Sequence, residues 1–281
     1  MSLKTVDGIA YREALPDGWD GAAPTALLIH GYPTSSYLWR NVLAEVAAGG
    51  CRGIAPDLPG FGDSPPDPPG TWEHQVENVE RFRQALGLER VVLGVHDWGG
   101  LIGLRWACDH PDAVSALVIT DTGFFPEGKW HGMAQSLRTE GEGETLLENV
   151  NKELLGGFMR QVTPTITDDV IDEFWKAYAD GDRRRGHLEL YRSGDFSKLE
   201  PYRGKLAALG VPTLIVWGAK DEFAPVAGGY RFKKEIPGST LVVLEDAGHF
   251  LMEDDPARVG REIREFLVSS VLAPDEQRQP A

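Results

Sequence analysis

One heptapeptide, Gly94-Val95-His96-Asp97-Trp98-Gly99-Gly100, constrains this chain more than any other stretch. Arg90-Val91-Val92-Leu93 before it is β-branched and apolar, the composition of a buried strand. Leu101-Ile102-Gly103-Leu104-Arg105-Trp106-Ala107 after it reads as a mostly apolar helix. A strand that becomes a helix within two or three residues needs small residues at the bend. Gly94, Gly99 and Gly100 supply them, because glycine tolerates unusual dihedrals and close backbone approach without steric cost. The apex residue, Asp97, is then held out of the sheet at the mouth of a helix N-terminus, the strand–turn–helix setting of a nucleophile elbow. A carboxylate there is stabilised as the anion. It needs no base to activate it, and it can attack a saturated carbon to form an ester. The blander alternative is that Asp97 only caps the helix.

The 281 residues suit one α/β domain with an insertion, and 42% apolar residues suffice for a large core. A formal charge of −15 repels nucleic acid and anionic membranes. Cys51 and Cys108 have no Cys or His at ligand spacing, so they are expected to be buried thiols, with no metal site. The first residues lack a signal-type apolar region, and no run approaches the ~18 apolar residues of a membrane span. A cytoplasmic protein is expected, as a monomer or homodimer, without nucleic acid, membrane or cofactor partners.

Along the chain, residues 9–14 read as a first, exposed strand, and 25–30 as a central one ending in His30-Gly31-Tyr32-Pro33. A helix is predicted over 36–48, a strand over 52–56 and an amphipathic helix over 72–86. After the elbow helix comes a strand over 113–120, with Asp121 at its end. The strand–helix alternation then stops. Residues 125–205 read as helix and loop, with helices over 146–158, 168–179 and 186–191. The alternation resumes with strands over 211–217 and 240–244 and helices over 225–236 and 256–268. One interrupted rhythm predicts a doubly wound, mostly parallel sheet. The expected organisation is a core of residues 1–124 and 206–272, a helical cap of 125–205, and a polar tail of 273–281. Ligands of such sheets bind at the carboxyl ends of the strands. The insertion leaves from that edge and can cover the site, excluding water.

Ester turnover needs a base for water and an acid to orient the base. His249, in Asp246-Ala247-Gly248-His249-Phe250, is the expected base, and Asp221, in Trp217-Gly218-Ala219-Lys220-Asp221, the expected orienting acid, with Asp121 as fallback. The order nucleophile, acid, His is the one such a fold uses. The backbone N–H groups of Trp98 and Tyr32 are the expected oxyanion hole. His30, Pro33, Trp98 and Phe250 are expected to line the substrate pocket.

On these residues the chain, up to about residue 268, resembles α/β-hydrolases of the epoxide hydrolase and haloalkane dehalogenase branch. Both groups carry the aspartate nucleophile in a motif matched by His96-Asp97-Trp98-Gly99. The stretch from His30 to Arg40 resembles dehalogenases. These hold the departing halide with the Trp after the nucleophile, here Trp98, and a second N–H donor. In many members that donor is an Asn, where this chain has Tyr32; others use a Trp early in the cap, and Trp130 is the one Trp before its middle. His30-Gly31-Tyr32-Pro33 also resembles the His-Gly-x-Pro loop of epoxide hydrolases. Their cap acids, which protonate the epoxide oxygen, correspond to Tyr191, followed by Arg192, and to His131 in Lys129-Trp130-His131. The Arg residues that hold a haloacid carboxylate in fluoroacetate dehalogenases are replaced by Trp98 and Leu101. The resemblance implies, first, an epoxide hydrolase acting on a small apolar epoxide through Asp97, His249, Asp221, Tyr191 and His131. It implies, second, a haloalkane dehalogenase; a non-catalytic small-ligand binder is the third reading.

Overall fold

The computed structural model describes residues 2–273. Its eight described strands form one sheet in the order β1-β2-β4-β3-β5-β6-β7-β8. They are β1 (Leu3–Val6), β2 (Ile9–Ala14), β3 (Thr25–Ile29), β4 (Arg52–Pro56), β5 (Val91–His96), β6 (Val114–Thr120), β7 (Thr213–Gly218) and β8 (Thr240–Leu244). Strands β3 to β8 pair in parallel, and β1 and β2 run antiparallel at one edge. Residues 9–14 are therefore not the exposed first strand that alternation suggests. Leu3–Val6 lies outside them and takes the edge, leaving Ile9, Ala10 and Tyr11 buried. The central strands β3 and β5 are buried along their whole length, as continuous apolar runs require once both faces are covered.

Register sets the site. Ile29 lies opposite Val95, His96 opposite Thr120, and Gly218 opposite Leu244. The loops that begin at His30, Asp97, Asp121 and Ala219 thus leave from one sheet edge. Helices α1 (Arg40–Ala48), α2 (Trp72–Ala85) and α3 (Trp98–Asp109) connect the first half. Thr71 caps α2 through its hydroxyl, at 3.4 Å from the His74 amide.

Between β6 and β7 the chain is helical: α4 (Gly132–Arg138), α5 (Glu142–Asn149), α6 (Lys152–Val162), α7 (Asp168–Trp175) and α8 (Gly181–Ser193). The single helix expected over 146–158 is two. Asn151 breaks it by accepting from the Leu154 amide at 2.9 Å, ending one helix and capping the next. Helix α8 begins earlier than its apolar residues suggest, because Asp180 caps it through the Arg183 amide at 2.8 Å. This helix is fastened to the core by the start of α2. The amides of Gly70 and Trp72, which have no intrahelical partner, donate to Glu189 at 2.5 Å and Ser193 at 2.8 Å. Helices α9 (Lys205–Ala208), α10 (Ala227–Glu235), α11 (Leu251–Asp254) and α12 (Pro256–Phe266) follow, and a π-helical turn over Leu267–Val271 continues α12. The tail expected over 273–281 lies, except for Ala273, outside the described residues.

Cys51 and Cys108 are buried free thiols, and burial pushes them up to about 11 and about 12. Among the described residues no helix is long and apolar enough to cross a membrane.

The end of β7 packs tightly against the loop after β8. A Cβ on Gly218 would lie 2.2 Å from the Gly248 carbonyl oxygen and 2.8 Å from that of Ala247. Backbone cannot yield as a side-chain tip can. Gly218→Ala should therefore cost about 1–3 kcal/mol, the usual penalty of overpacking, read as a lower urea midpoint with unchanged slope. An unmoved midpoint would show that the two segments are not locked together there.

Candidate active site

Asp97 occupies the turn between β5 and α3 with φ 50° and ψ −124°. Sequence reasoning assigned the strain of this bend to the glycines. The structure assigns it to the aspartate, and the glycines provide room instead. A Cβ on Gly99 would sit 2.3 Å from the Ile29 carbonyl oxygen, and one on Gly100 would sit 2.0 Å from Thr122 Oγ1. The strained residue is tied on every side. Its amide donates to the Asp121 carbonyl at 3.2 Å, and its carbonyl accepts from the Gly100 amide at 2.8 Å and from Thr122 Oγ1 at 2.6 Å. Its side chain makes no cap bond to α3, so the blander N-cap role does not describe it.

The carboxylate has two differently dressed oxygens. Oδ1 accepts from the Tyr32 amide at 2.7 Å, and the nearby Trp98 amide favours the charged form of the carboxyl. Oδ2 faces His249 Nε2 at 3.6 Å. Burial raises the Asp97 carboxyl, but His249 and these amides prevail and hold it down at about 2. His249 Nδ1 meets Asp221 Oδ2 at 2.8 Å, and Asp221 Oδ1 accepts from the Phe223 and Ala224 amides at 2.7 and 2.9 Å. Burial lowers the His249 imidazole, yet Asp221 and Asp97 outweigh it and leave it well above the ordinary histidine value.

A cavity of about 290 Å³ opens over Asp97. Trp98, Trp130, His131, Tyr191, Phe196 and Phe223 are among the residues that line it. Tyr191, on α8, is buried and set edge-to-face on Trp98 with ring centres 5.2 Å apart. Burial and the Asp97 charge hold its phenol well above the usual tyrosine value, while the nearby Trp98 side chain opposes the rise. The buried indole N–H of Trp98 nonetheless has no aligned acceptor. Trp130 stacks on Trp98 at 5.2 Å. His131 caps α4, its Nδ1 accepting from the Ala134 amide at 3.5 Å, so the neutral ring carries its proton on Nε2. Burial lowers the His131 imidazole, against the pull of Asp97.

Asp97, Trp98, Tyr191 and His131 thus share one cavity, with His249 and Asp221 behind it. Three residues expected to line the pocket do not line this cavity. His30 is fully buried: its Nδ1 donates to the Gly31 carbonyl at 2.8 Å and its Nε2 accepts from the Leu58 amide at 2.9 Å. It braces the loop that carries Tyr32. Pro33 is buried in the same loop. Phe250 packs edge-to-face against the His249 ring, with ring centres 5.0 Å apart. The Tyr32 hydroxyl accepts from Tyr178 at 2.8 Å, so only its amide addresses Asp97. Sequence reasoning missed Phe223, which lines the cavity and lies 5.2 Å from the His249 ring, and Thr122, which fastens the Asp97 carbonyl. Position alone could have flagged both, one following Asp121 and the other two residues after Asp221. A smaller cavity of about 150 Å³ between α8 and the loop after β4 contains neither Asp97 nor His249.

A sequence profile described as alpha/beta hydrolase fold matches residues 24–256. A haloalkane dehalogenase of Mycobacterium marinum is 33% identical over 88% of this chain and 84% of its own length. Epoxide hydrolase 3 of Siraitia grosvenorii is 28% identical over 88% of this chain and 92% of its own. The crystal structure of the haloalkane dehalogenase DbeA from Bradyrhizobium elkani superposes with a TM-score of 0.81 at 26% identity, covering 95% of this chain and 96% of that one. The glycine-braced elbow, the parallel sheet and these similarities agree: the chain is a hydrolase of the alpha/beta hydrolase fold family, in the branch that holds the haloalkane dehalogenases and epoxide hydrolases.

Proposed function

We propose that this hydrolase opens epoxides to vicinal diols through an ester on Asp97. The observation that carries this reading is that Tyr191 and His131 line the same cavity as the Asp97 carboxylate. An epoxide oxygen leaves as an alkoxide still attached to the substrate and needs a proton. A buried phenol held above its usual value keeps its proton at working pH and still yields it to an alkoxide. The His131 Nε2–H is a second neutral donor, and helices α4 to α8 act as the cap that brings both to the core.

Asp97 Oδ2 attacks one epoxide carbon, the C–O bond breaks, and the released oxygen takes the Tyr191 proton. The same step changes the base. Asp97 loses its charge on esterification, and with it goes one of the attractions that keep His249 protonated. His249 passes its proton through solvent to the Tyr191 phenolate; now neutral, it takes a proton from water, and the hydroxide adds to the Asp97 carboxyl carbon. The charge develops on Oδ1, where the Tyr32 amide already donates; one such donor is worth about 3 kcal/mol in the barrier. Collapse of the adduct releases the diol and returns the carboxylate.

A second reading, haloalkane dehalogenation, is favoured by the buried, unpartnered Trp98 N–H, by Trp130 stacked on it, and by relatives of that name. The nucleophile, base and ester are shared, and only the leaving atom differs. A non-catalytic binder would leave a strained aspartate and an oriented His–Asp pair without use.

Replacing the base separates enzyme from binder. His249→Gln should slow turnover by about 10²–10⁴ and trap the ester, seen by intact-protein mass spectrometry as the added mass of an aryl epoxide or bromoalkane. No adduct with either reagent would overturn the assignment of Asp97.

A paired assay identifies the leaving group. Wild-type protein with an aryl epoxide should give diol, and Tyr191→Phe should form it roughly 10²-fold more slowly. Bromide release from a bromoalkane with no diol from the epoxide would favour the second reading instead.

A further inference from the structure

Two buried carboxyls end neighbouring strands, Asp121 after β6 and Asp221 after β7, and their donors are unequal. Asp221 accepts two backbone amides on Oδ1 and the His249 ring on Oδ2. Asp121 accepts one amide, from Gly218 at 2.9 Å, on Oδ1. Its Oδ2 is buried and has no donor. Gly218 ties the two together, donating its amide to Asp121 Oδ1 and accepting the Asp221 amide on its carbonyl at 3.4 Å, and the Asp221 carboxyl acts on that of Asp121. Two adjacent buried carboxyls do not both ionise, and the charge settles where the donors are. Three donors on Asp221 against one on Asp121 decide the matter. Burial first, and the neighbouring Asp221 second, push the Asp121 carboxyl well above the usual carboxylate range.

We propose that Asp121 is a positioning residue that carries the proton of an Asp121–Asp221 pair, its carboxylic O–H donating to the carboxylate that orients His249. This rests on the reading of Asp221 and His249 given above. The backbone of Asp121 serves the same end, since its carbonyl takes the Asp97 amide at 3.2 Å. One residue therefore touches the nucleophile through its main chain and the orienting acid through its side chain. Besides Asp221, the titratable groups around the pair are His249 from the loop after β8, His96 and Asp97 from the elbow, and His131 at the start of α4; His96 is 4.8 Å from the His249 ring, ring centre to ring centre. Burial, with His249 adding to it, holds His96 down at about 3, so it is neutral at working pH.

An asparagine reproduces both bonds of a protonated aspartate: its oxygen accepts from Gly218 and its amide donates to Asp221. Asp121→Asn should keep kcat/KM within about threefold of wild type with an unmoved pH profile. Asp121→Ala removes the donor, and hydrolysis of the Asp97 ester should slow at least about tenfold, so that the adduct accumulates in mass spectra of the working enzyme. Infrared difference spectra should contain a protonated-carboxyl band at pH 8 in the wild type that Asp121→Asn lacks. A pH profile displaced by about one unit in Asp121→Asn, or the absence of that band, would mean that Asp121 is ionised and would overturn the proposal. So would an Asp121→Ala enzyme that turns over like wild type. If the alanine variant does not fold, the asparagine variant and the infrared band decide. Failure of the hydrolase reading is recognised separately, by His249→Gln that takes up no substrate mass.

Discussion

The turn at Asp97 is the constraint on which the site depends. A non-glycine residue at φ 50° costs on the order of 1–3 kcal/mol and persists only where its surroundings over-determine it. The surroundings come from three strands. The Tyr32 amide reaches Oδ1 from the loop after β3, the main-chain bonds of β5 lead into the turn, and Asp121 and Thr122 fasten it from the end of β6. Side chains at Gly99 or Gly100 would break this convergence by colliding with the Ile29 carbonyl and Thr122. The strained backbone, the aligned strand ends and the missing Cβ atoms are thus one device. It holds a carboxylate clear of the sheet with one oxygen bound and the other turned to His249.

Charge is handled locally. The chain carries a net charge of −15, and its catalytic edge gathers Asp97, Asp121 and Asp221 around a single raised imidazole. Three ionised carboxylates in one buried site would repel one another at low dielectric. Amide donors on Asp97 and Asp221 stabilise two of these charges, whereas burial and the neighbouring Asp221 hold the Asp121 carboxyl well above the usual carboxylate range. The cap contributes neutral donors, the phenol of Tyr191 and the imidazole of His131, in a cavity walled by aromatic rings.

Most of the sheet was legible in the chain because apolar runs at β3, β5, β6 and β7 end in loops of small and polar residues. The sheet edge was misjudged at residues 9–14, since Leu3–Val6 is exposed and carries no alternation strong enough to read. The cap was the least legible part. Its helix boundaries are set by Asn151 and Asp180, polar caps whose effect on chain direction outweighs the apolar period on which the reading relied. His30 and Phe250 stood beside functional residues in sequence and were read as pocket walls. In space they pack against those residues, His30 under the Tyr32 loop and Phe250 against His249.

The sequence by itself determined the elbow, the chain order of its apex aspartate, a second aspartate and a histidine at strand ends, and the residues able to take part in such chemistry. Those follow from local rules: glycine spacing, strand ends, and the few side chains able to do such chemistry. Only the tertiary structure decided which oxygen of Asp97 is bound and which is free, which residues face the cavity, and how unequally the backbone donors are shared between Asp121 and Asp221. These depend on distances of a few ångströms between residues far apart in the chain, and no local pattern encodes them.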